Sequence, residues 1–317
     1  MEKNFAKEKI SIIIPFHSLE KFLPKCLESI KNQTYQNFEA IMIANNVKDK
    51  SLEIAKSFAQ NDKRFVLFVK DEKYNVPSIR NFGIECASGK YLTWIDGDDW
   101  VSNEYLQKLY DSIADGKCQI GVCEKIETSD RNKKFCHKNV SKSKICTAEK
   151  FEKIVLKDNR YGGYLWNKIY LTKIAKQLFF VERYPNCEDL LFVEKYLQNC
   201  KYVNIINDKL YCYYINKNGL KKSFNKLGQG IKMLSTLNEI VRVAKGQTFY
   251  KNACLKRGLH CVELLFRHRK VLKQKKYIRL KKLLKSYINI AKNCFIDKNK
   301  DDFDYYLWQK IVIKIFA

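Results

Sequence analysis

The chain has no uninterrupted apolar run of membrane-spanning length, so no spanning helix is predicted. It also shows no signal peptide: Met1–Lys9 is charged and runs straight into the apolar Ile10–Ile14, which predicts a cytoplasmic setting. Its 12 cysteines lack short paired spacings, a pattern that fits reduced thiols better than a disulfide framework. The cluster Cys118, Cys123, Cys136, His137 and Cys146 lacks the C-x₂-C knuckles of a structural zinc site. There is no internal repeat, no low-complexity linker and no recognisable RNA- or DNA-binding motif, so no nucleic-acid partner is expected.

Acidic residues are scarce in one part of the chain only. Residues 1–100 carry 15 Lys and Arg against 14 Asp and Glu, whereas residues 221–317 carry 24 against 6, a net of +18. A near-neutral front and a basic back suggest attraction to a polyanion, an anionic membrane face or a negatively charged acceptor. A solvated lysine-rich surface explains the same numbers.

At 317 residues the chain can bury a substantial core in one large or two modest domains. Ile10–Ile14, Phe38–Ala44, Arg64–Val69 and Tyr91–Ile95 read as buried strands. Between them, Leu19–Asn32, Lys50–Gln60 and Ser78–Ala87 read as helices. Strands alternating with helices predict a Rossmann-type α/β fold, a mostly parallel sheet flanked by helices. Further on, Glu104–Ala114 reads as a helix, Gln119–Ile126 as a strand, and Asp130–Cys146 as a polar hairpin or loop. Ala148–Leu156 and Asp189–Gln198 read as helices, Lys201–Ile206 and Lys209–Tyr214 as two β-rich runs. From Gln229 the pattern is helical and basic, as in Tyr277–Ile290, with a soft boundary near Ser223. The expected organisation is a domain over 1–222, split into halves 1–100 and 101–222, followed by a basic helical region over 223–317.

The most informative segment is Tyr91–Trp100, Y-L-T-W-I-D-G-D-D-W, where a buried strand ends in Asp96, Asp98 and Asp99. Three carboxylates so close repel one another unless a cation joins them, and hard oxygen ligands suit Mg²⁺ or Mn²⁺. The carboxyl ends of strands are where α/β sheets bind ligands. A divalent ion there would neutralise a diphosphate, which points to an enzyme handling a nucleotide-activated substrate.

The order of these motifs resembles family 2 glycosyltransferases of the GT-A fold over roughly residues 9–220. The resemblance lies in Ser11–Tyr35, Asn37–Ile43, Ser78–Leu92, the Asp-x-Asp segment, W-N-K-I-Y (Trp166–Tyr170) and C-E-D-L-L-F (Cys187–Phe192). It implies a hexosyl- or N-acetylhexosaminyl-transferase of bacterial cell-surface glycan assembly, moving sugar from a nucleotide-sugar to a glycan or glycolipid acceptor. It places Pro15, His17, Asn45, Asp49, Arg80, Asp96 and Asp98 along the donor. Asp98 and Asp99 become the candidate ligands of Mn²⁺ or Mg²⁺, and Asp189, beside Glu188, the base of an inverting displacement. Trp166, Asn167 and Lys168 fall on the acceptor side, where an aromatic face can stack on a sugar; core packing of Trp166 is the competing reading.

The chain also departs from the family. His17 and Ser18 replace its usual Tyr-Asn, and Ala44–Val47 replaces Asp-Asp-Gly-Ser, so that Asn45 stands where an aspartate would accept the uracil N3–H. An amide can pair with uracil or cytosine, which leaves UDP-sugar and cytidine-nucleotide donors both open, UDP first. A sugar nucleotidyltransferase would want a glycine-rich loop after the first strand, but P-F-H-S-L-E has no glycine. The non-enzymatic alternative is a module binding an anionic surface. The spacing of Leu280, Leu283, Leu284, Tyr287 and Ile288 suits peripheral contact with an anionic leaflet, or a homodimer through the C-terminal helices.

Overall fold

The computed structural model describes residues 8–135, 143–157, 161–182 and 188–215, together with Ile278. The basic region 223–317, its boundary near Ser223 and the helix Tyr277–Ile290 (Ile278 apart) lie outside the described residues, as do Cys136, His137 and Cys187.

The front of the chain alternates as expected: β1 (Ile10–Phe16), α1 (Leu23–Lys31), β2 (Phe38–Asn45), α2 (Ser51–Asn61), β3 (Phe65–Lys70), α3 (Val76–Cys86) and β4 (Tyr91–Trp94). β1 pairs in parallel with both β2 and β4, and β2 in parallel with β3. Strands in such a sheet are covered on both faces and read as continuous apolar runs. Ile13, Ile41 and Trp94 accordingly sit in one core, Ile12, Ile14 and Met42 in the other. α1 starts at Leu23 rather than Leu19, because Leu19–Phe22 forms a turn with Leu23 N donating to Leu19 O. α3 is capped by Asn75, whose side chain accepts from Ser78 N at 2.9 Å.

The back of the chain is built differently. It runs β5 (Trp100–Val101), α4 (Tyr105–Asp111), β6 (Ile120–Thr128), β7 (Ser143–Thr147), α5 (Ala148–Lys157), β8 (Lys168–Leu171), α6 (Thr172–Ala175), α7 (Glu188–Leu197) and β9 (Tyr202–Tyr214). The sheet order is β3-β2-β1-β4-β8-β6-β9-β5, with β7 beside β9. β8 runs antiparallel to both β4 and β6, and β9 antiparallel to β5 and β7. The expectation of a mostly parallel sheet therefore holds for the front, and the back is mixed. Two predicted strands are one: β9 runs unbroken, with a bulge where its pairing with β6 jumps from Ile206 to Lys209. The polar excursion contains the edge strand β7, whose residues are exposed apart from Cys146.

Candidate active site

The strand order reverses between β1, whose other neighbour is β2, and β4. The carboxyl ends of β1, β2 and β4 thus form the crevice where open α/β sheets take ligands. His17, Asn45 and Asp96 follow or end those three strands.

The acidic turn is held tightly. A Cβ on Gly97 would lie 2.9 Å from Leu19 Cδ1 and 3.2 Å from Phe16 Cβ, so the turn packs closely on the end of β1 and a side chain there would push Leu19 and Phe16 aside. Asp96 and Asp98 are half-buried, whereas Asp99 is 1% exposed. Asp99 Oδ2 accepts from the Tyr211 hydroxyl and Oδ1 from Tyr214 N, both at 2.7 Å. Asp99, expected beside the metal, is bonded through both oxygens to β9. Burial, then Asp98 and Asp96, push its carboxyl well above the usual range.

Among the described residues no three His, Cys, Asp or Glu side chains form a metal cluster. Mg²⁺-type sites are often completed by one or two carboxylates plus substrate phosphates. Two half-exposed carboxylates backed by a third fit a cation that arrives with a diphosphate.

Arg80 projects from α3 and is 7% exposed. Its Nη1 donates to Glu188 Oε1 at 2.7 Å and also to Asp189 Oδ1. Burial works to strip its proton, but Asp189, Glu188 and Asp96 outweigh it and hold the guanidinium charged. Arg80, expected on the nucleotide, is therefore paired with the expected base, within electrostatic reach of the acidic turn. Burial and then Asp189 raise the Glu188 carboxyl to about 7, against the pull of Arg80. The side chain of Asp189 is 25% exposed, that of Glu188 10%, so Asp189 is the more accessible of the two.

The donor-side polar residues serve the turns themselves. Asn45 Nδ2 donates to Tyr74 O at 2.9 Å and its Oδ1 accepts from Tyr74 N at 3.0 Å. The amide read as pairing with a base thus fastens the segment before α3. Asp49 accepts from Glu20 N at 2.9 Å and from Ser51 N at 3.0 Å. Burial opposes ionisation there, but the hydrogen bonds from Ser51 and Glu20 prevail and lower its pKa. His17 Nδ1 lies 2.7 Å from Asn45 O, and Pro15 is within β1 opposite Ile43.

The three expected acceptor residues are core residues. Trp166 is 3% exposed and stacks on Tyr164 and Tyr211, with centroids 4.7 and 4.2 Å away. Tyr213 stacks on the same ring system at 5.6 Å. Lys168 is fully buried on β8; its Nζ donates to the carbonyls of Tyr161, Gly162 and Tyr164 and to Asn167 Oδ1, at 2.6–3.0 Å. Burial lowers its pKa to about 7, and those four oxygens favour the proton. Asn167 donates to Cys123 O and Tyr161 O. Together the pair knits the segment before β8, which packs so closely on α7 that a Cβ on Gly163 would meet Leu190 Cα at 2.8 Å.

Sequence reasoning missed Tyr211, whose hydroxyl touches both ends of the acidic turn. Its one signal is alternation: Tyr211 and Tyr213 share a strand face and both stack on Trp166.

Comparison with known proteins agrees with this architecture. Residues 11–179 match the sequence model of glycosyl transferase family 2. Glycosyltransferase GlyA of Streptococcus pneumoniae is 29% identical over 224 residues, 68% of this chain and 32% of GlyA. EpsJ of Bacillus subtilis, an uncharacterized glycosyltransferase, is 26% identical over 215 residues, 67% of this chain and 62% of EpsJ. The matched part thus spans less than two thirds of either relative's length. Among solved structures, S. aureus TarS 1-349 in complex with UDP-GlcNAc superposes with a TM-score of 0.69 at 16% identity, covering 89% of this chain and 81% of that one. The mannosyltransferase PcManGT from Pyrobaculum calidifontis, in complex with GDP-Man and Mn²⁺, gives 0.58 at 12% identity, covering 93% and 89%. At such identities the structural likeness speaks for the fold alone, and it includes both a UDP and a GDP complex. The family match extends over more than half of the sequence, and the chain belongs to glycosyl transferase family 2.

Proposed function

We propose that the protein is an inverting, metal-dependent glycosyltransferase that moves a sugar from a nucleotide-sugar, a UDP-sugar first, to a hydroxyl of a cell-surface glycan or lipid-linked acceptor. The observation that carries this reading is the meeting of two charged devices at the switch point of the sheet. One is the half-exposed Asp96–Asp98 turn; the other is the Arg80–Glu188–Asp189 cluster, whose guanidinium feels Asp96.

Asp96 would reach the donor ribose and Asp98 would hold the cation beside the diphosphate, with Asp99 behind them tied to Tyr211 and Tyr214. A bound Mn²⁺ or Mg²⁺ supplies Lewis-acid stabilisation of the departing diphosphate. Asp189 takes the proton of the acceptor hydroxyl as that oxygen attacks the anomeric carbon from the side opposite the leaving group, so configuration inverts. Arg80 holds Asp189 in place, and Glu188, easily protonated, limits the charge around it. The basic region 221–317 suits a peripheral station at an anionic membrane face, where a lipid-linked acceptor is presented.

The test is calorimetric titration of the full chain with UDP, CDP and GDP, each with and without Mn²⁺, alongside Asp98→Asn. Metal-dependent binding of UDP that is lost in Asp98→Asn is the expected result. Preference for CDP redirects the donor to a cytidine-activated compound. Binding of no nucleotide, with or without metal, overturns the reading.

A further inference from the structure

The acidic turn is fastened by a residue outside the stretch that matches the family model, residues 11–179. Tyr211 lies on β9, fully buried, with its ring 4.2 Å from Trp166 and 6.2 Å from Tyr105. Its hydroxyl accepts from Asp96 N at 3.2 Å and donates to Asp99 Oδ2 at 2.7 Å. One oxygen thus spans the first and last carboxylate residues of the turn. The turn's own bond, Asp99 N to Asp96 O at 3.0 Å, closes the same four residues from the backbone side. Tyr214 N completes the hold on Asp99, and the register Val101↔Tyr211 and Trp100↔Cys212 pairs β9 with the chain just beyond the turn. Asp98 is left half-exposed between two fixed neighbours.

We infer that Tyr211 is a positioning residue for the donor site: its hydroxyl sets the width of the Asp96–Asp99 turn and so the placement of Asp98 toward the metal–diphosphate unit. This rests on the reading of Asp98 as the metal-side carboxylate. A ligand carboxylate is only as well placed as the groups around it, and outer partners of metal ligands typically change metal affinity by about 10–100-fold when removed. The tie also makes β9, a strand from the back of the chain, part of the donor site.

Tyr211→Phe keeps the ring and its stack on Trp166 and removes only the hydroxyl. Tyr105→Phe is the matched control: the Tyr105 hydroxyl is equally buried, bonds to Thr93 and Trp166 O, and does not touch the turn. UDP affinity is measured for both variants and the wild type across a Mn²⁺ series, with melting temperatures recorded in parallel. Tyr211→Phe is expected to weaken the Mn²⁺-dependent affinity about tenfold while metal-free UDP binding stays unchanged. Tyr105→Phe is expected to alter melting only. Unchanged Mn²⁺ dependence in Tyr211→Phe overturns the inference. So does an equal loss with and without metal, or a Tyr211→Phe chain that does not fold, since the hydroxyl would then serve the fold rather than the turn. A wild type with no metal-dependent binding at all is a different failure, that of the functional reading itself.

Discussion

The two halves of the molecule treat polar motif residues in opposite ways. In the front half, a parallel sheet places its strand ends at one edge, and Asp96 and Asp98 stay half-exposed there. In the back half, Trp166 and Asn167 lie on the turn before β8 and Lys168 opens that strand between β4 and β6, yet all three side chains go into the core. A residue on a turn left open at the strand ends can face a ligand; one on a turn or strand packed over by its neighbours cannot. On the proposed reading, chemistry from the back half comes from the helix α7, where Asp189 meets Arg80 of the front half. A residue's value as a site candidate depends on whether its strand end stays open or is packed over.

The largest effect expected from this division is at Asp189. Asp189→Asn keeps the shape and a partner for Arg80 but removes the base. Transfer from a UDP-sugar should fall by about 10³-fold, within the usual range for general acid–base catalysis, with Mn²⁺–UDP affinity within about threefold of wild type. Full transfer activity in this variant would remove α7 from the chemistry. Lys168 sharpens the contrast from the other side. Lys168→Met strips four oxygens of a buried, charged donor, at a cost of about 3 kcal/mol, roughly 8 °C in melting temperature for a domain of this size. Mn²⁺–UDP affinity should not move. An unchanged melting temperature with a raised acceptor KM would return Lys168 to the acceptor side and break the comparison.

The front half was legible because its signals are local. β1, β2 and β4 are apolar runs, and the acidic cluster sits where a strand must end. The back half hides its plan in long-range pairing. β8 has four residues, one of them a lysine, and nothing in W-N-K-I-Y says that three carbonyls from residues 161–164 will close around the ammonium. β7 is an exposed edge strand with no apolar alternation to betray it. The roles of single residues were hardest to read. Asn45 and Arg80 occupy the expected places, yet Asn45 bonds to Tyr74 and Arg80 to Glu188 and Asp189. Tertiary partners decide such roles, and spacing along the chain does not encode them.

The smallest effect belongs to a buried acid away from the site. Glu152 on α5 is 2% exposed, and its Oε2 has no hydrogen-bond partner. Burial, then Glu149, raise its carboxyl to about 7 from an ordinary 4.5. The folded state therefore keeps a proton that the unfolded chain releases between those values. Stability from this group is complete below about 4.5 and is lost as pH climbs through about 7, about 3 kcal/mol for the full shift and roughly 2 kcal/mol once solvent screening is allowed for. Glu188 titrates in the same window with the same sign, so the wild-type curve alone cannot assign the slope. Glu152→Gln leaves Glu188 in place, and the difference between the two melting curves isolates Glu152. That difference should be small at pH 5 and grow to about 5 °C in favour of the variant at pH 8, with Mn²⁺–UDP affinity unchanged. Curves that stay parallel from pH 5 to pH 8 would mean that Glu152 is ionised in the fold, and the back half would then hold a buried charge as the front half does at Arg80.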